Sequence, residues 1–326
     1  PVHHISIFSI DTDHVIFMMP NFRNRKVLVT GGAGFIGSNT VKALSQAGAS
    51  VSIVDNLSTG SKDNVPSNIK LYEMNITDPS LSEVLSLEKP DLIYHFAFNV
   101  LVPNSVKNPL LDLDGIAGSL NLFQCAREAD ATKIVFASSS FVYGNNPIVP
   151  TNEEHPIELV APYAAAKYSV ENYLQCFNKT YGLDYAIVRY ATVYGPKQLK
   201  GAMADYIRKL KSGYQAEIWG DGSKTRDYVF ISDVVKANLL VGQLSSVTET
   251  PIFNIGTQQE TSLNDVYRKI ASLLDKENSP IYHPDREGEL YKICLDYSKF
   301  HRLTGWEPEV SLDKGLRSCV EEFSDI

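Results

Sequence analysis

Apolar residues recur along this chain in two rhythms. Between Lys26 and Tyr190, short β-branched runs alternate with longer stretches of helical periodicity. Residues 26–30, 51–54 running into Asp55, 70–73, 91–95 and 133–137 each read as a buried strand. The periodicity predicts helices over about 38–46, stopped by Gly48, and over about 110–128 and 161–180, the last two apolar on more than one face. Strands and helices in alternation predict an α/β chain built on a parallel sheet. Beyond Pro196 the alternation weakens. The stretch from Ile5 to Met19 is apolar but broken by Asp11, Asp13 and His14, unlike the core of a signal peptide. With Met18 or Met19 as the expected natural start, residues 1–25 read as an extension outside the fold.

The first strand leads directly into Gly31-Gly32-Ala33-Gly34-Phe35-Ile36-Gly37 and then into a helix. In that context glycines let the backbone turn tightly and approach a pyrophosphate, while the helix N-terminus offers free N–H groups and the positive end of its dipole. The second strand ends in Asp55, a side chain suited to a ribose 2′-hydroxyl and repelling a 2′-phosphate. The reading is a Rossmann-type unit that binds NAD rather than NADP. A glycine turn beside an ordinary aspartate is the bland alternative, so the rest of the chain has to carry weight.

It does so through a second constellation. The fifth strand runs into Ser138-Ser139-Ser140-Phe141-Val142-Tyr143-Gly144, and Tyr163-Ala164-Ala165-Ala166-Lys167 opens a long helix. Spacing of i, i+4 puts Tyr163 and Lys167 on one helical face. A free phenol titrates at ~10 and is a poor base at neutral pH. A nearby ammonium and a cationic nicotinamide ring both favour the phenolate. Tyr163 could then move a hydroxyl proton during hydride transfer while Ser139 holds the same oxygen. Tyr-x-x-x-Lys is common by chance on helices; its company with the glycine loop, Asp55 and the serine-bearing strand end gives it meaning.

The GxxGxxG spacing and Asp55-Asn56-Leu57-Ser58-Thr59-Gly60 resemble the extended, sugar-nucleotide branch of the short-chain dehydrogenase superfamily. The resemblance runs from Lys26 to about Phe323. It implies a doubly wound parallel Rossmann sheet over residues 26–190, with return segments near 229–257, and a smaller C-terminal α/β substrate lobe over 191–326. It implies Gly31, Gly34, Phe35, Ile36 and Gly37 at the NAD pyrophosphate, and Asp55, Asn56, Ser58, Thr59 and Gly60 along the adenosine. Asn75-Ile76 stands where the family has an adenine-contacting Asp-Ile pair, and Phe96-Ala97 where it lines the nicotinamide ribose. Ser139, Tyr163 and Lys167 become the catalytic triad, with Tyr163 and Lys167 also touching the cofactor. Gly115 occupies the position of a frequent family asparagine. Arg226, in Arg226-Asp227-Tyr228, and Arg286, in Arg286-Glu287-Gly288-Glu289, match arginines that grip the substrate pyrophosphate, as forked guanidinium groups do well. Ser140, Thr192 and Ile293 fall at sugar-contacting positions. The helices at 110–128 and 161–180 would pair across a homodimer as a four-helix bundle.

The family offers epimerases, 4,6-dehydratases, decarboxylases and reductive epimerases. Dehydratases place an acidic pair, and decarboxylases a glutamate, just after the serine or threonine; here Ser140-Phe141 follows, with no carboxylate. The cysteine of the reductive epimerases is absent from its position as well. What remains needs a single acid/base, which is 4-epimerisation of a nucleotide sugar, with UDP-glucose/UDP-galactose or an N-acetyl analogue expected. Thr192 also resembles uronic-acid epimerases, and Ile293 is neither the large Tyr that narrows the pocket nor the small residue that opens it. A UDP-glucuronate 4-epimerase, a dehydratase or dehydrogenase, and a non-catalytic NAD sensor remain open.

Composition narrows the surroundings. A net charge of -8 argues against a nucleic-acid or anionic-membrane surface, so phosphate groups must meet local arginines. Cys125, Cys176, Cys294 and Cys319 form no CxxC pair, which suggests neither zinc nor a disulfide framework and fits a reducing cytoplasm. No metal is expected.

Overall fold

The computed structural model describes residues 21–98, 101–145, 148–244, 250–276 and 279–323. The first half winds as β1 (Lys26–Thr30), α1 (Phe35–Gln46), β2 (Ser50–Asp55), β3 (Lys70–Glu73), α2 (Leu81–Glu88), β4 (Leu92–His95), α3 (Val102–Lys107), α4 (Leu113–Glu128), β5 (Lys133–Ser139), α5 (Pro162–Tyr181) and β6 (Asp184–Tyr190). The remainder runs β7 (Thr192–Tyr194), α6 (Ala202–Lys211), β8 (Glu217–Trp219), β9 (Thr225–Arg226), β10 (Tyr228–Phe230), α7 (Ile231–Gln243), β11 (Ile252–Ile255), β12 (Thr261–Ser262), α8 (Leu263–Leu273), β13 (Ile281–His283), α9 (Ser298–Thr304) and α10 (Leu312–Glu322).

Seven strands form one parallel sheet in the order β11-β6-β5-β4-β1-β2-β3. Strands with both faces covered are apolar throughout, and β1, β4 and β5 are buried almost end to end for that reason. One face packs Val41 and Leu44 of α1 with Val234 and Val241 of α7. The other packs Leu81 and Leu85 of α2, Leu122 and Phe123 of α4, and Val170 and Leu174 of α5. After β6 the chain leaves this sheet, re-enters it through β11 and leaves again, and the segments on either side of β11 build a small lobe around Tyr206, Ile207, Ile218, Val266 and Leu316. Among the described residues, no helix is long and apolar enough to cross a membrane.

Three local differences from the sequence reading have physical causes. Helix α1 starts at Phe35, inside the glycine motif, because Gly34 takes an extended conformation and serves as its N-cap. A turn over Pro109–Asp112 delays α4 to Leu113. Residues 21–25 belong to the fold: Phe22 is 1% exposed in the core, its N–H bonds Ala47 O at 3.0 Å, and Arg25 O accepts from Ser50 N at 2.9 Å. Residues 1–20 of the expected extension lie outside the described residues.

Strand order reverses between β1 and β4, where a crevice opens at the carboxyl ends of the strands. His95, the last residue of β4 and fully buried, ties that point together. Its Nδ1 lies 2.8 Å from Thr30 Oγ1 and its Nε2 2.8 Å from Ser119 Oγ of α4. Ser119 gives its own proton to Gly115 O at 2.6 Å, so Nε2–H must donate to Ser119 and Nδ1 must accept from Thr30. Burial holds the imidazole down at about 3, against an ordinary 6.5. The unfolded chain therefore binds a proton that the folded chain refuses, and stability declines as pH falls below about 6.5. Urea midpoints at about pH 7 and about pH 5 check this: wild type should lose more stability between them than His95→Gln, and equal losses would contradict it.

Candidate active site

At the crevice the backbones of β1 and β4 nearly touch. Gly31 has φ +71°, and a Cβ there would lie 2.6 Å from Ala97 N. A Cβ on Gly37 would lie 2.1 Å from Gly31 O, so the loop can fold over the start of α1 only with glycine at both places. At Gly34 a Cβ would meet only Gly31 O, at 3.2 Å, and otherwise project into open space. Helix α1 has no side-chain cap and no acidic residue in its first turn. Its first N–H groups, on Phe35, Ile36 and Gly37, have no partner within the helix. An open cradle ending in uncapped N–H groups suits a pyrophosphate.

Asp55 sits at the end of β2, 7% exposed. Its carboxylate accepts from Ala33 N at 2.9 Å and Leu57 N at 2.8 Å, which fixes it beside the glycine loop. Asn56 Oδ1 accepts from Ser58 N at 3.0 Å, and Ser61 N and Asn64 Nδ2 both donate to Ala33 O, so Asn56 to Gly60 arch across that loop with Ser58 and Thr59 exposed. Further along the edge, Asn75 Oδ1 accepts from Thr77 N at 3.1 Å. The Ile76 side chain is buried against Gly118, leaving mainly its backbone and the Asn75 amide for an adenine. Asn121, which the sequence reading passed over, pins this segment by donating to Ile76 O at 2.8 Å and Asp78 O at 3.1 Å. Across the crevice, Phe96 stacks on Tyr94 and Ala97 N donates to Thr30 Oγ1 at 3.4 Å. These residues fit a dinucleotide with free 2′-hydroxyls.

The three proposed reacting side chains converge beside it. Ser139 ends β5, and Pro162 at the first position of α5 sets the start of the helix that carries Tyr163 and Lys167. Tyr163 lies beside Ser139 and is flanked edge-on by Phe98 and Phe141, at 6.3 Å and 6.1 Å between centroids. Burial pushes its phenol up to about 12, the Ser139 hydroxyl opposing. This departs from the expectation that Lys167 draws the phenol down, because desolvation outweighs the favourable neighbours in the site as it stands. In the ligand-free site Tyr163 is therefore protonated at neutral pH. The Lys167 ammonium donates to Ala137 O at 2.7 Å and lies 4.0 Å from the Phe98 ring centroid and 4.9 Å from that of Phe136. Burial lowers it to about 7, with Glu171 and Asp112 opposing.

Glu171 is a buried neighbour of these residues that the sequence reading missed, although Tyr163, Lys167 and Glu171 recur at i, i+4 and i+8 on one face. It is fully buried, binds Arg189 through Nε at 3.0 Å and Nη2 at 2.6 Å, and accepts from Ser138 Oγ. Arg189 Nη1 donates to Tyr143 OH at 2.9 Å, and Tyr143 donates to Asn254 Oδ1 at 2.8 Å. The network joins β5, α5, β6 and β11 beneath the reacting side chains.

In the small lobe, Arg226 is half-buried, with Nη1 on Thr225 O at 2.8 Å. Arg286 is exposed and lies 4.0 Å over the Trp219 ring, itself stacked on His283 at 4.6 Å. Both arginines act electrostatically on Tyr206, which puts them in one neighbourhood. Ile293 is 4% exposed, with its N–H on Thr225 O at 3.2 Å; Thr192 is half-buried and Ser140 buried. Among the described residues, no group of three or more His, Cys, Asp or Glu converges as a metal site.

Residues 27–256 match the NAD dependent epimerase/dehydratase family. The UDP-glucose 4-epimerase of Mycolicibacterium smegmatis is 37% identical over 309 residues, covering 91% of this chain and 98% of that one. The structure of Thermotoga maritima UDP-glucose 4-epimerase with UDP-glucose superimposes with a TM-score of 0.87 at 39% identity, covering 91% of this chain and 98% of the other. A UDP-N-acetylglucosamine 4-epimerase from Methanobrevibacter ruminantium M1, in complex with UDP-N-acetylmuramic acid, gives 0.85 at 31% identity over 93% and 99%.

Arg189→Met leaves the Glu171 carboxylate buried without its partner. It should cost about 3–5 kcal/mol in chemical denaturation; a loss below about 1 kcal/mol would show that the pair does not sustain this region.

Proposed function

The chain belongs to the NAD-dependent epimerase/dehydratase family, and we infer that Ser139, Tyr163 and Lys167 carry out the 4-epimerisation of a nucleotide sugar in it. The enzyme is an NAD-dependent nucleotide-sugar epimerase. The observation that carries the choice of residues is the convergence of Tyr163 with Ser139 and Lys167 in a buried pocket where Ser140 and Phe141, not carboxylates, follow the serine. One acid/base is present, and epimerisation needs only one.

Residues 26–190 with 229–257 form the dinucleotide unit in this reading, and most of 191–326 the substrate lobe. Gly31 to Gly37, Asp55 to Gly60, Asn75, Ile76, Phe96 and Ala97 hold the cofactor. Bound NAD supplies the two-way hydride acceptance that epimerisation at C4 requires, with no net oxidation. Tyr163 takes the 4-hydroxyl proton through its phenol oxygen and later returns it. Ser139 Oγ holds the same oxygen in the hydroxyl and keto forms. The Lys167 ammonium supplies positive charge beside the phenol and hydrogen bonds for a ribose. Arg226 and Arg286 hold the substrate pyrophosphate while the 4-keto hexose turns to offer its other face. Closing so much of the site to water protects the keto intermediate.

The proposed substrate is UDP-glucose/UDP-galactose or an N-acetyl analogue; Ile293, neither the large residue that narrows the pocket nor the small one that opens it, does not choose between them. A reducing cytoplasm is the proposed setting, in keeping with four cysteines in no disulfide. The protein is proposed to pair with a second copy through α4 and α5, which present Leu113 at 55% exposure and Tyr173 at 44%. Light scattering at micromolar concentration should give a dimer mass, and a monomer would remove the bundle.

Incubation with a panel of UDP-sugars without added coenzyme should interconvert at least one C4 pair. Tyr163→Phe, with unchanged circular dichroism, should slow that reaction by more than ~100-fold. No interconversion of any UDP-hexose, UDP-N-acetylhexosamine or UDP-hexuronic acid would overturn the reading, and near-normal turnover would remove Tyr163 from its role.

A further inference from the structure

Gly115 and Phe98 fit each other. A Cβ built on Gly115 would lie 2.7 Å from the Phe98 ring, so this ring can occupy its place only because residue 115 has no side chain. From that seat the ring presents its face to Lys167 Nζ, 4.0 Å from the centroid, nearer than Phe136 at 4.9 Å or Tyr163 at 6.0 Å. It also meets Tyr163 at 79° between planes. The sole hydrogen bond found for the ammonium among the described residues goes to Ala137 O. A buried ammonium with one carbonyl partner needs other stabilisation, and an aromatic face supplies it most strongly where water is excluded.

We propose that Phe98 is a positioning residue for Lys167, its ring seated against Gly115 and holding the buried ammonium by its face. This rests on the role assigned above to Lys167 in the epimerisation. Phe98 thereby supports the ammonium by cation–π attraction from the segment that follows β4. The pairing also explains why residue 115 is a glycine within a helix: any larger side chain would displace the ring that faces Lys167.

The titratable and charged groups facing Lys167 are few. Tyr163 and Glu171 stand on its own helix, Asp112 comes from the turn before α4, His95 from the end of β4, and Arg189 from β6 by way of Glu171. His95 stays neutral at any pH where Lys167 titrates, since burial holds it at about 3. Tyr163 titrates far above it. A change in the Lys167 midpoint on altering Phe98 is therefore attributable to the ring.

Lysine labelled with 13C at Cε, in the full-length protein, gives that midpoint directly by NMR, with Lys167→Met assigning the resonance. Phe98→Leu keeps the bulk and loses the face; it should lower the midpoint by about one pH unit. Phe98→Tyr, which keeps the face, should hold it. Gly115→Ala should move it the same way as Phe98→Leu by pushing the ring aside. In epimerase assays the alkaline limb of kcat should move down with the midpoint, which loss of packing alone would not produce. An unchanged midpoint in Phe98→Leu overturns the proposal, whatever happens to activity. Full activity in Lys167→Met would instead overturn the role of Lys167, leaving the NMR result to stand separately.

Discussion

A chain of hydrogen bonds from Thr30 through His95 to Ser119 and Gly115 closes the sheet where its strand order reverses. The proton order is forced, because Ser119 spends its proton on a backbone carbonyl and a neutral imidazole must then donate through Nε2. This chain sets the separation of β1 and β4 at their carboxyl ends and brings α4 against both. On it depend the contact of Gly31 with Ala97, the opening into which the glycine loop faces, and the position of Gly115 beside Phe98. A parallel doubly wound sheet offers its crevice at that point whatever its sequence. Here the side chains that hold the crevice open also neighbour the chemistry.

The second constraint is desolvation. Lys167, Tyr163, Glu171 and Arg189 all lie out of water, and each is held by a partner that limits the cost. Glu171 is neutralised by a two-point bond to Arg189, whose free nitrogen is taken by Tyr143. Beneath the site Glu171 is thus fully paired, whereas the buried Asp112 carboxyl beside it is held by Ser105 through Oδ2 and leaves Oδ1 without a partner. Dryness keeps Tyr163 protonated in the ligand-free site and makes its proton release responsive to positive charge brought in from outside. The same dryness strengthens the aromatic contacts of Lys167.

The repeating strand–helix pattern was legible because each strand is buried on both faces and so reads as an unbroken apolar run. The glycine loop, Asp55 and the Tyr163/Lys167 pair were legible because they are local in sequence, with meaning carried by spacing. Other features were hidden because they depend on contacts between distant segments. Phe22 looked like part of a loose leader until the C-terminal end of α1 was seen to cover it. Arg189 and Glu171 drew no reading from the sequence, because their roles arise only where the two meet beneath the site. Gly115 read as a lost asparagine, whereas its meaning lies in Phe98, seventeen positions earlier and on another element. The two arginines of the small lobe could be picked out by motif, but their shared neighbourhood at Tyr206 arises only when β9 and the segment after β13 fold together.

The central claim is that one tyrosine moves the proton while the hydride leaves C4 and returns to the same carbon within a closed site. The direct measurement uses a UDP-hexose carrying deuterium at C4, incubated with the purified protein without added coenzyme. The account predicts that the C4 epimer forms with its deuterium still at C4, and that none appears in water or in a second, unlabelled sugar. Loss of the label to solvent, or a keto product that accumulates in its place, would contradict it.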